Sequence, residues 1–274
     1  MSMVPIGAAV TDGYNAGHGL PFDSDGMKER YPGVFFSQFT GAELVAEKWN
    51  LSREDLDEFA LESHQKAANA TESKYFDREI LPVEGKNAEG INELVLADEG
   101  IRFDASLDKL AGLKPVTDGG VITAGNASQI TDGAAAVMIC NDAGLKKIQS
   151  NPRAEIVSIS VVGDDPVFML TGPIPASKKA LEAAGLSIDD MDLYEVNEAF
   201  APVPLAWAHD LEADKSKLNV NGGAMALGHP LGATGAKLMT TMLHELERRN
   251  GNYALQAICE GGGTANATII KRLS

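Results

Sequence analysis

The regular alternation of apolar and polar positions begins near residue 151 and continues to the end of the chain. β-Branched runs bounded by glycine or charged residues predict strands, and apolar residues at helical spacing between them predict helices. The pattern predicts a layered α/β unit with a mixed sheet, in the order β-α-β-α-β-α-β-β. Its strands are expected at 155–162, 192–196, 218–220, 253–259 and 265–271, and its helices at 173–185, 198–211 and 233–249. The first of these helices is expected to end at Gly185, and the last to carry Leu238, Met242 and Leu246 on one side.

The part of the chain before residue 121 is less regular. Residues 1–33 are rich in glycine, aspartate and proline and predict irregular structure. A short helix is expected over 41–50, and a longer one after Ser52, which with Asp55 has the pattern of an N-terminal cap. Glycine and proline interrupt 74–120, which predicts short strands and loops. The apolar spacing after Ser52 predicts a buried helix face formed by Leu56, Phe59, Ala60, Ser63 and Ala67.

Residues 121–140 have no local partner. Strand-like ends surround the small-residue stretch 124–128, and an alanine-rich apolar run follows it. Because no helix pattern lies beside this segment, we expect it to belong to a sheet that begins elsewhere. Cys140 ends the run, and we expect it in the core, where free cysteines are commonly found.

Composition narrows the classes of function. The 274 residues carry 39 acidic and 23 basic side chains, a formal charge of −16, which disfavours nucleic acid and anionic lipid surfaces as partners. An anionic ligand would therefore need local cations or helix N-termini. Two cysteines far apart in sequence fit a reducing cytosol, and the apolar runs are too short to span a bilayer. We expect a cytoplasmic protein.

The stretch 219–235 carries the strongest chemical signal. Five of its residues are glycine, which permits close approach of a ligand or another backbone. His229 lies just before the helix expected at 233–249, where the positive end of the helix dipole keeps an imidazole neutral. A lone histidine is more often a structural core residue, but the density of glycine here favours a functional one.

Two further segments could contribute to the same site. Cys259 ends a predicted strand and is followed, one residue later, by three glycines whose N–H groups could hold an oxyanion. The competing interpretation is a buried cysteine beside a hairpin. Asn197 lies at a strand-to-helix junction, where it could hold a water or merely cap the helix. The histidines at 18, 64, 209 and 244 are expected in loops or on helix surfaces, without metal-ligand spacing, so we expect no metal.

The motifs Asn197-Glu-Ala-Phe200, Gly228-His-Pro230 and Cys259-x-Gly-Gly-Gly263 occur in this order with 172–176 and 123–133, and the whole chain resembles the thiolase family. The resemblance implies acyl transfer between 3-ketoacyl-CoA or acetyl-CoA and coenzyme A, without metal or redox cofactor. It implies that His229 activates a nucleophilic cysteine and that Cys259 moves the α-proton of acetyl-CoA. Asn197, through a water, and the N–H of Gly261 would complete the oxyanion holes.

The resemblance also implies a binding tunnel, and this sequence differs from the family pattern at the nucleophilic cysteine and at Glu260. Ser128, Ala199 and Phe200 match positions along the pantetheine tunnel, and Arg102 matches a cation near the nucleotide of coenzyme A. The nucleophilic cysteine of the family lies in a preceding segment that has no counterpart here, so we expect the isolated chain to be inactive. Glu260 replaces an apolar residue found in many members, which weakly favours a degradative enzyme.

The expected architecture is a thiolase-like α/β fold of three parts. A lid or loop domain would span 1–115, a remnant of the amino-terminal half-domain 116–150, and a complete carboxy-terminal half-domain 151–274. The family implies dimers or tetramers, or a companion chain that supplies the other half-domain. The alternative is a non-catalytic subunit that binds acyl-CoA or lipid within a larger complex.

Overall fold

The computed structural model describes residues 7–87 and 89–273. Within these ranges the helices and strands follow the chain as α1 (Ala8–Asn15), α2 (Asp25–Arg30), α3 (Gln38–Lys48), α4 (Arg53–Glu72), β1 (Val83–Lys86), β2 (Asn92–Val95), α5 (Leu107–Ala111), α6 (Asp142–Ile148), β3 (Ala154–Gly163), α7 (Pro173–Ala184), β4 (Leu193–Val196), α8 (Pro202–Asp210), α9 (Ala224–Leu227), α10 (Thr234–Arg249), β5 (Tyr253–Glu260) and β6 (Thr264–Arg272). None of the helices among these residues is long and apolar enough to cross a membrane.

The centre of the protein is a four-stranded mixed sheet in the order β3-β6-β5-β4. The strand pairs β3–β6 and β5–β6 are antiparallel, whereas β4 and β5 are parallel. This confirms the expected mixed α/β unit. Because β4 and β5 run in the same direction, their carboxyl ends lie at the same edge of the sheet.

The strand expected at 218–220 is reduced to two isolated bridges, one between Leu218 and Tyr194 and one between Val220 and Gly222. Asn219 adopts a left-handed backbone conformation, φ 44°, which ends the extended run. Its side chain instead binds the free edge of β4. The Oδ1 atom accepts from the N–H of Val196 and Nδ2 donates to the Val196 carbonyl, both at 2.9 Å.

Helices cover both faces of the sheet. On one face Leu193 of β4 packs with Met242 and Leu246 of α10, which confirms the apolar side expected for that helix. Tyr194 and Val196 point to the opposite face and join the largest core cluster. The alternation follows from the two-residue period of a strand and decides which side chains of β4 can reach α10.

The amino-terminal part is more helical than its composition indicated. Helix α4 begins as expected, because Ser52 and Asp55 form a reciprocal capping box, and all five residues of its expected inner face are buried. The prediction of irregular structure over 1–33 is wrong where α1 and α2 form, and Ser24 caps α2 by accepting from the N–H of Met27. Residues 1–6 of that range lie outside the described residues.

Two predictions for the segment 121–140 are wrong. It forms no strand, and Cys140 is exposed rather than in the core. Residues 131–140 adopt neither helix nor strand, so nothing among the described residues covers their apolar run, and Met138 is 77% exposed. Residues 126–128 instead pair with 199–201, through a bridge at Ala127 and a Ser128 N–H donated to the Ala199 carbonyl at 2.9 Å.

The same pairing delays the helix that was expected to begin at residue 198. Residues 199–201 instead form backbone hydrogen bonds with 126–128. Ala201 has helical dihedrals, φ −52° and ψ −37°, and α8 begins at Pro202, whose fixed φ suits the first helical turn. The result is a short crossing of two backbones close to the carboxyl end of β4. Two of the expected functional segments therefore meet there.

Candidate active site

His229 lies in the loop between α9 and α10 and is half-buried. Its N–H donates to the Gln129 carbonyl at 3.1 Å, which fixes the backbone of the loop. The ring contacts two polar groups. Nδ1 lies 2.7 Å from Oγ1 of Thr234 in the first turn of α10, and Nε2 lies 3.3 Å from Nδ2 of Asn197.

These contacts determine which ring nitrogen carries the proton. The Thr234 hydroxyl donates its only hydrogen to the Pro230 carbonyl at 3.0 Å, so towards His229 it can only accept. Nδ1 must then be the protonated nitrogen, and Nε2 keeps a lone pair that accepts from Asn197. Burial lowers the pKa of His229, which also favours the neutral ring. The histidine is a neutral base with Nε2 as its basic atom.

Asn197 directly follows β4 and is buried. Its N–H donates to the Ala257 carbonyl at 3.0 Å, which extends the pairing of β4 with β5 by one residue. The side chain therefore has a fixed origin at the sheet edge, from which Nδ2 reaches His229. The expected helix-capping role is not realised, since α8 begins five residues later.

Glu198 ties the two loops of the site to α4. Its buried carboxylate accepts from Oγ of Ser63 at 2.7 Å, from Nδ2 of Asn219 at 2.9 Å and from the N–H of Met225 at 3.1 Å. The Ser63 hydroxyl also accepts from the N–H of Gly223. These bonds hold the stretch that leads to His229 directly against the residue that follows Asn197.

The glycines of this stretch are required by how closely it approaches α4. Gly222 has φ 78°, and a Cβ atom there would lie 2.6 Å from the Ser63 carbonyl oxygen. Neither the backbone conformation nor the space admits a side chain. The interpretation of the glycine-rich segment as a site of close backbone approach is thus correct at Gly222, where the neighbour is α4.

Cys259 lies at the carboxyl end of β5, the sheet edge at which Asn197 follows β4. The side chain is 8% exposed and belongs to the core cluster that contains Ala199 and Phe200. Burial raises the pKa of the Cys259 thiol to about 12, with a smaller contribution from the charge of Glu260. The thiol therefore holds its proton at neutral pH and can act as an acid.

The turn after Cys259 is an open glycine hairpin. Gly262 and Gly263 have φ 78° and 80°, and no atom lies within 4 Å of the side-chain position at Gly261. Glu260 is exposed and turns away from the thiol, because its carboxylate accepts from Nδ2 of Asn266 at 2.6 Å and from the hydroxyl of Thr264 at 3.2 Å.

A cavity of about 370 Å³ lies between α4, α5 and residues 124–129. Its lining includes Arg102, Lys109 and Asp104; Asp104 forms an ion pair with Lys109, so Arg102 supplies the net positive charge among these three. The expected binding residue Arg102 is exposed at this cavity. Neither His229 nor Cys259 lines it, so the cavity is a neighbouring compartment rather than a single pocket around all of the expected residues.

Gln129 connects the cavity to the histidine loop. Its side-chain amide lines the cavity and donates to the carbonyls of Gly100 at 2.8 Å and Met225 at 2.7 Å. The backbone carbonyl of Gln129 accepts from the backbone N–H of His229. Ser128 precedes it in the chain and pairs with Ala199. The expected tunnel residues Ser128, Ala199 and Phe200 thus lie on the backbone crossing between Arg102 and His229.

Two residues of the site escaped the sequence interpretation. His64 was expected on a surface but is buried in α4, where Nδ1 accepts from the N–H of Arg102 at 3.1 Å, and it lines the cavity. Its spacing of four residues from Ala60 could have indicated a buried position. Thr234 follows His229 by five residues, at the start of α10, and only the three-dimensional contact reveals its role.

A neutral histidine that accepts from an amide donor, together with a protonated thiol at the carboxyl end of the neighbouring strand β5, is suited to proton transfer and oxyanion stabilisation at a carbonyl. Family models of the thiolase amino-terminal and carboxy-terminal domains match residues 4–143 and 150–272. The chain belongs to the thiolase family.

Individual relatives agree with this assignment. The steroid 3-ketoacyl-CoA thiolase of Mycobacterium tuberculosis is 53% identical over all 274 residues, which span 66% of that protein. The acetyl-CoA acetyltransferase of Shinella zoogloeoides is 44% identical, with 70% of its length covered. The crystal structure of human mitochondrial 3-ketoacyl-CoA thiolase in complex with CoA superposes with a TM-score of 0.82 at 46% identity, covering 85% of this chain and 58% of that one.

Proposed function

We propose that this chain forms the part of an acyl-CoA C-acyltransferase that binds coenzyme A and moves protons during cleavage or formation of a 3-ketoacyl-CoA. The observation that carries the proposal is the chain of hydrogen bonds from Asn197 through His229 to Thr234 and the Pro230 carbonyl. It supports a neutral Nε2 base beside a side-chain amide donor, at the sheet edge where Cys259 lies.

In the thiolytic direction a cysteine thiolate attacks the 3-keto carbon of the substrate. The bond between C2 and C3 then breaks, the acyl group stays on the cysteine, and the enolate of acetyl-CoA takes a proton from Cys259. Coenzyme A next attacks the acyl-cysteine and releases the shortened acyl-CoA. His229 would accept the thiol proton of the nucleophilic cysteine before the first attack and return it when the acyl group leaves that cysteine. The Cys259 thiolate would take the proton of the coenzyme A thiol before the second attack, which restores Cys259, and the high pKa of Cys259 supports its role as the acid.

The acylated cysteine is proposed to come from outside these 274 residues. The sequence contains Cys140 and Cys259, and the exposed Cys140 follows a segment with no helix or strand. We therefore propose that the isolated chain does not turn over. The family resemblance supports assembly as dimers or tetramers, or with a companion segment, and the two widely spaced cysteines support a location in the cytosol.

Coenzyme A is proposed to place its nucleotide at the cavity around Arg102, with its pantetheine passing Ser128, Ala199 and Phe200. The positive side chain of Arg102 supports this, because the overall charge of the protein would otherwise repel the phosphates, and Lys109 is already paired with Asp104. The solved CoA complex of the human relative supports the same ligand class.

Isothermal titration of the 274-residue chain with coenzyme A tests the binding half of the proposal. We expect saturable binding that weakens about tenfold or more in Arg102→Ala, the scale of a lost charge-assisted contact. Arg30→Ala, an exposed arginine on α2 outside the cavity, is the matched control. Equal affinity in all three proteins would contradict the assigned nucleotide site.

The names of the relatives do not agree on the direction of the reaction. The relatives include an acetyl-CoA acetyltransferase and thiolases whose names specify 3-ketoacyl-CoA. We propose the degradative direction, supported by the 53% identity to the steroid enzyme. Comparing thiolysis of acetoacetyl-CoA with thiolysis of a bulky 3-ketoacyl-CoA tests it, and exclusive use of acetoacetyl-CoA would contradict it.

A further inference from the structure

Two buried polar groups next to the site have no hydrogen-bond partner among the residues that the structure describes. One is the carboxyl group of Glu195 in β4, which is 1% exposed and has neither oxygen bonded. The other is the Oδ1 atom of Asn197. Unpaired buried polar atoms are costly, so each of them calls for a partner.

Both side chains lie on the same face of the sheet. Leu193 contacts α10, and Tyr194 and Val196 point the other way, so the two-residue period of the strand places Glu195 on the α10 face. Asn197 continues the ladder by its bond to Ala257, and it contacts His229 beside the start of α10. Glu195 and Asn197 are therefore neighbours on one face, with Cα atoms about 7 Å apart at the rise of a strand.

The surroundings of Glu195 favour the neutral form of its carboxyl group. Burial raises its pKa well above the usual range, and the carboxylates of Glu198, Glu79 and Glu245 raise it further, while Lys66 acts in the opposite direction. The Nζ atom of Lys66 donates to the Leu218 carbonyl. A neutral carboxylic acid carries one O–H donor, and Asn197 Oδ1 is an acceptor without a donor.

We propose that Glu195 is a positioning residue whose O–H donates to Oδ1 of Asn197, directly or through one water, and thereby fixes the Asn197 amide with Nδ2 towards His229. An asparagine amide has two orientations of nearly equal shape. In the other orientation Oδ1 would face Nε2, which favours a proton on that nitrogen and removes the base. This inference rests on the proposed function only for its catalytic meaning.

The atoms involved set the expected behaviour of two substitutions. Glu195→Gln keeps the shape and keeps a donor, its side-chain NH2, so Asn197 should stay in place. Glu195→Met keeps the volume and removes the donor, so the amide is free to turn over. Thr241→Val is the matched control, because it removes a buried hydrogen bond of α10, to Glu79, that does not involve Asn197.

Nitrogen-15 NMR of the histidine rings in the 274-residue chain provides the test, with folding checked by circular dichroism. Wild type, Glu195→Gln and Thr241→Val should show His229 as the Nδ1–H tautomer. Glu195→Met should lose that single tautomer and shift the titration midpoint of His229 upward, because a turned Oδ1 accepts from Nε2–H. This readout requires no turnover, so a failure of the proposed reaction would leave it intact.

Three outcomes would overturn the inference. The first is a folded Glu195→Met with an unchanged His229 spectrum, and the second is a folded Glu195→Gln as perturbed as Glu195→Met. The third needs no substitution and decides the matter if the variants do not fold. Carbon-13 spectra of wild-type protein should show the Glu195 carboxyl group still protonated at pH 7, and an ionised group would exclude it as the donor.

Discussion

Thr234 is expected to hold the protonated Nδ1 of His229, and removing its hydroxyl tests that contact directly. Thr234→Val replaces the hydroxyl with a methyl group of similar size, so packing at the start of α10 is kept. The substitution removes the acceptor of the Nδ1–H group and the donor to the Pro230 carbonyl. Nε2 would still accept from the Asn197 amide, so the ring would keep its Nδ1–H tautomer, but that N–H would have lost its acceptor.

The magnitude follows from burial at this position. Thr234 is 2% exposed and His229 is half-buried, so water cannot fully replace the lost partner. A buried donor left unpaired costs about 1–3 kcal/mol, more than the ~1 kcal/mol net value of an average hydrogen bond. We expect Thr234→Val to lower the free energy of unfolding by about 1–3 kcal/mol on this basis.

Two variants separate this effect from the loss of any helix threonine. The Thr240 hydroxyl donates to the carbonyl four residues back, as the Thr234 hydroxyl does, but contacts no histidine. Thr240→Val should therefore cost less and leave the His229 nitrogen-15 spectrum unchanged, whereas Thr234→Ser should retain the Nδ1–H form. Urea unfolding and the same spectra provide the measurements. A free energy of unfolding in Thr234→Val as high as in Thr240→Val, with an unmoved Nδ1 resonance of His229, would refute the reasoning.

Three further predictions concern groups around the site. The pKa of His64 is lowered by burial first and then by the charge of Arg102. Its contribution to the free energy of unfolding is therefore present above the unfolded pKa of about 6.5 and is lost as the pH falls through the folded pKa. Urea unfolding from pH 7.5 to 5 should show a smaller loss of stability in His64→Gln than in wild type or His209→Gln, and parallel curves would contradict this. Thiol titration with an aromatic disulfide should show Cys140 reacting at once and Cys259 only on unfolding, because one is exposed and the other buried with a pKa of about 12; two fast thiols would contradict the burial. Raising salt from 50 to 500 mM should weaken coenzyme A binding, since Arg102 is exposed and its attraction to phosphate is screened, and a salt-independent affinity would argue against a phosphate contact there.

Local sequence patterns predicted the features that are stabilised by residues close to one another in the chain. The capping box at Ser52 and the buried side of α10 appear in the structure as the sequence indicates, because each depends on residues within a few positions of one another. The glycine that ends α7, Gly185, is in the expected left-handed conformation, φ 66°. The succession of β4, β5 and β6 along the chain follows from the same regular pattern of apolar and polar positions.

Long-range pairing explains what the sequence could not predict. The carboxylate of Glu198 is satisfied by Ser63, 135 residues earlier, and residues 126–128 pair with 199–201 in place of the expected first turn of a helix. The Cys140 prediction was wrong because an apolar run indicates burial only when another surface covers it. The partners of Nδ1 and Nε2 of His229 likewise come from α10 and from the end of β4.

Thiolysis is the measurement that tests the central claim most directly. The chain should be assayed with acetoacetyl-CoA and coenzyme A, alone and joined to the amino-terminal third of the Mycobacterium tuberculosis relative, with which it shares 53% identity. We expect no turnover by residues 1–274 alone, turnover by the joined protein, and a loss of about 100-fold or more in its His229→Ala and Cys259→Ala variants. Steady turnover by the isolated chain, or a folded joined protein whose rate does not depend on His229 and Cys259, would contradict the account.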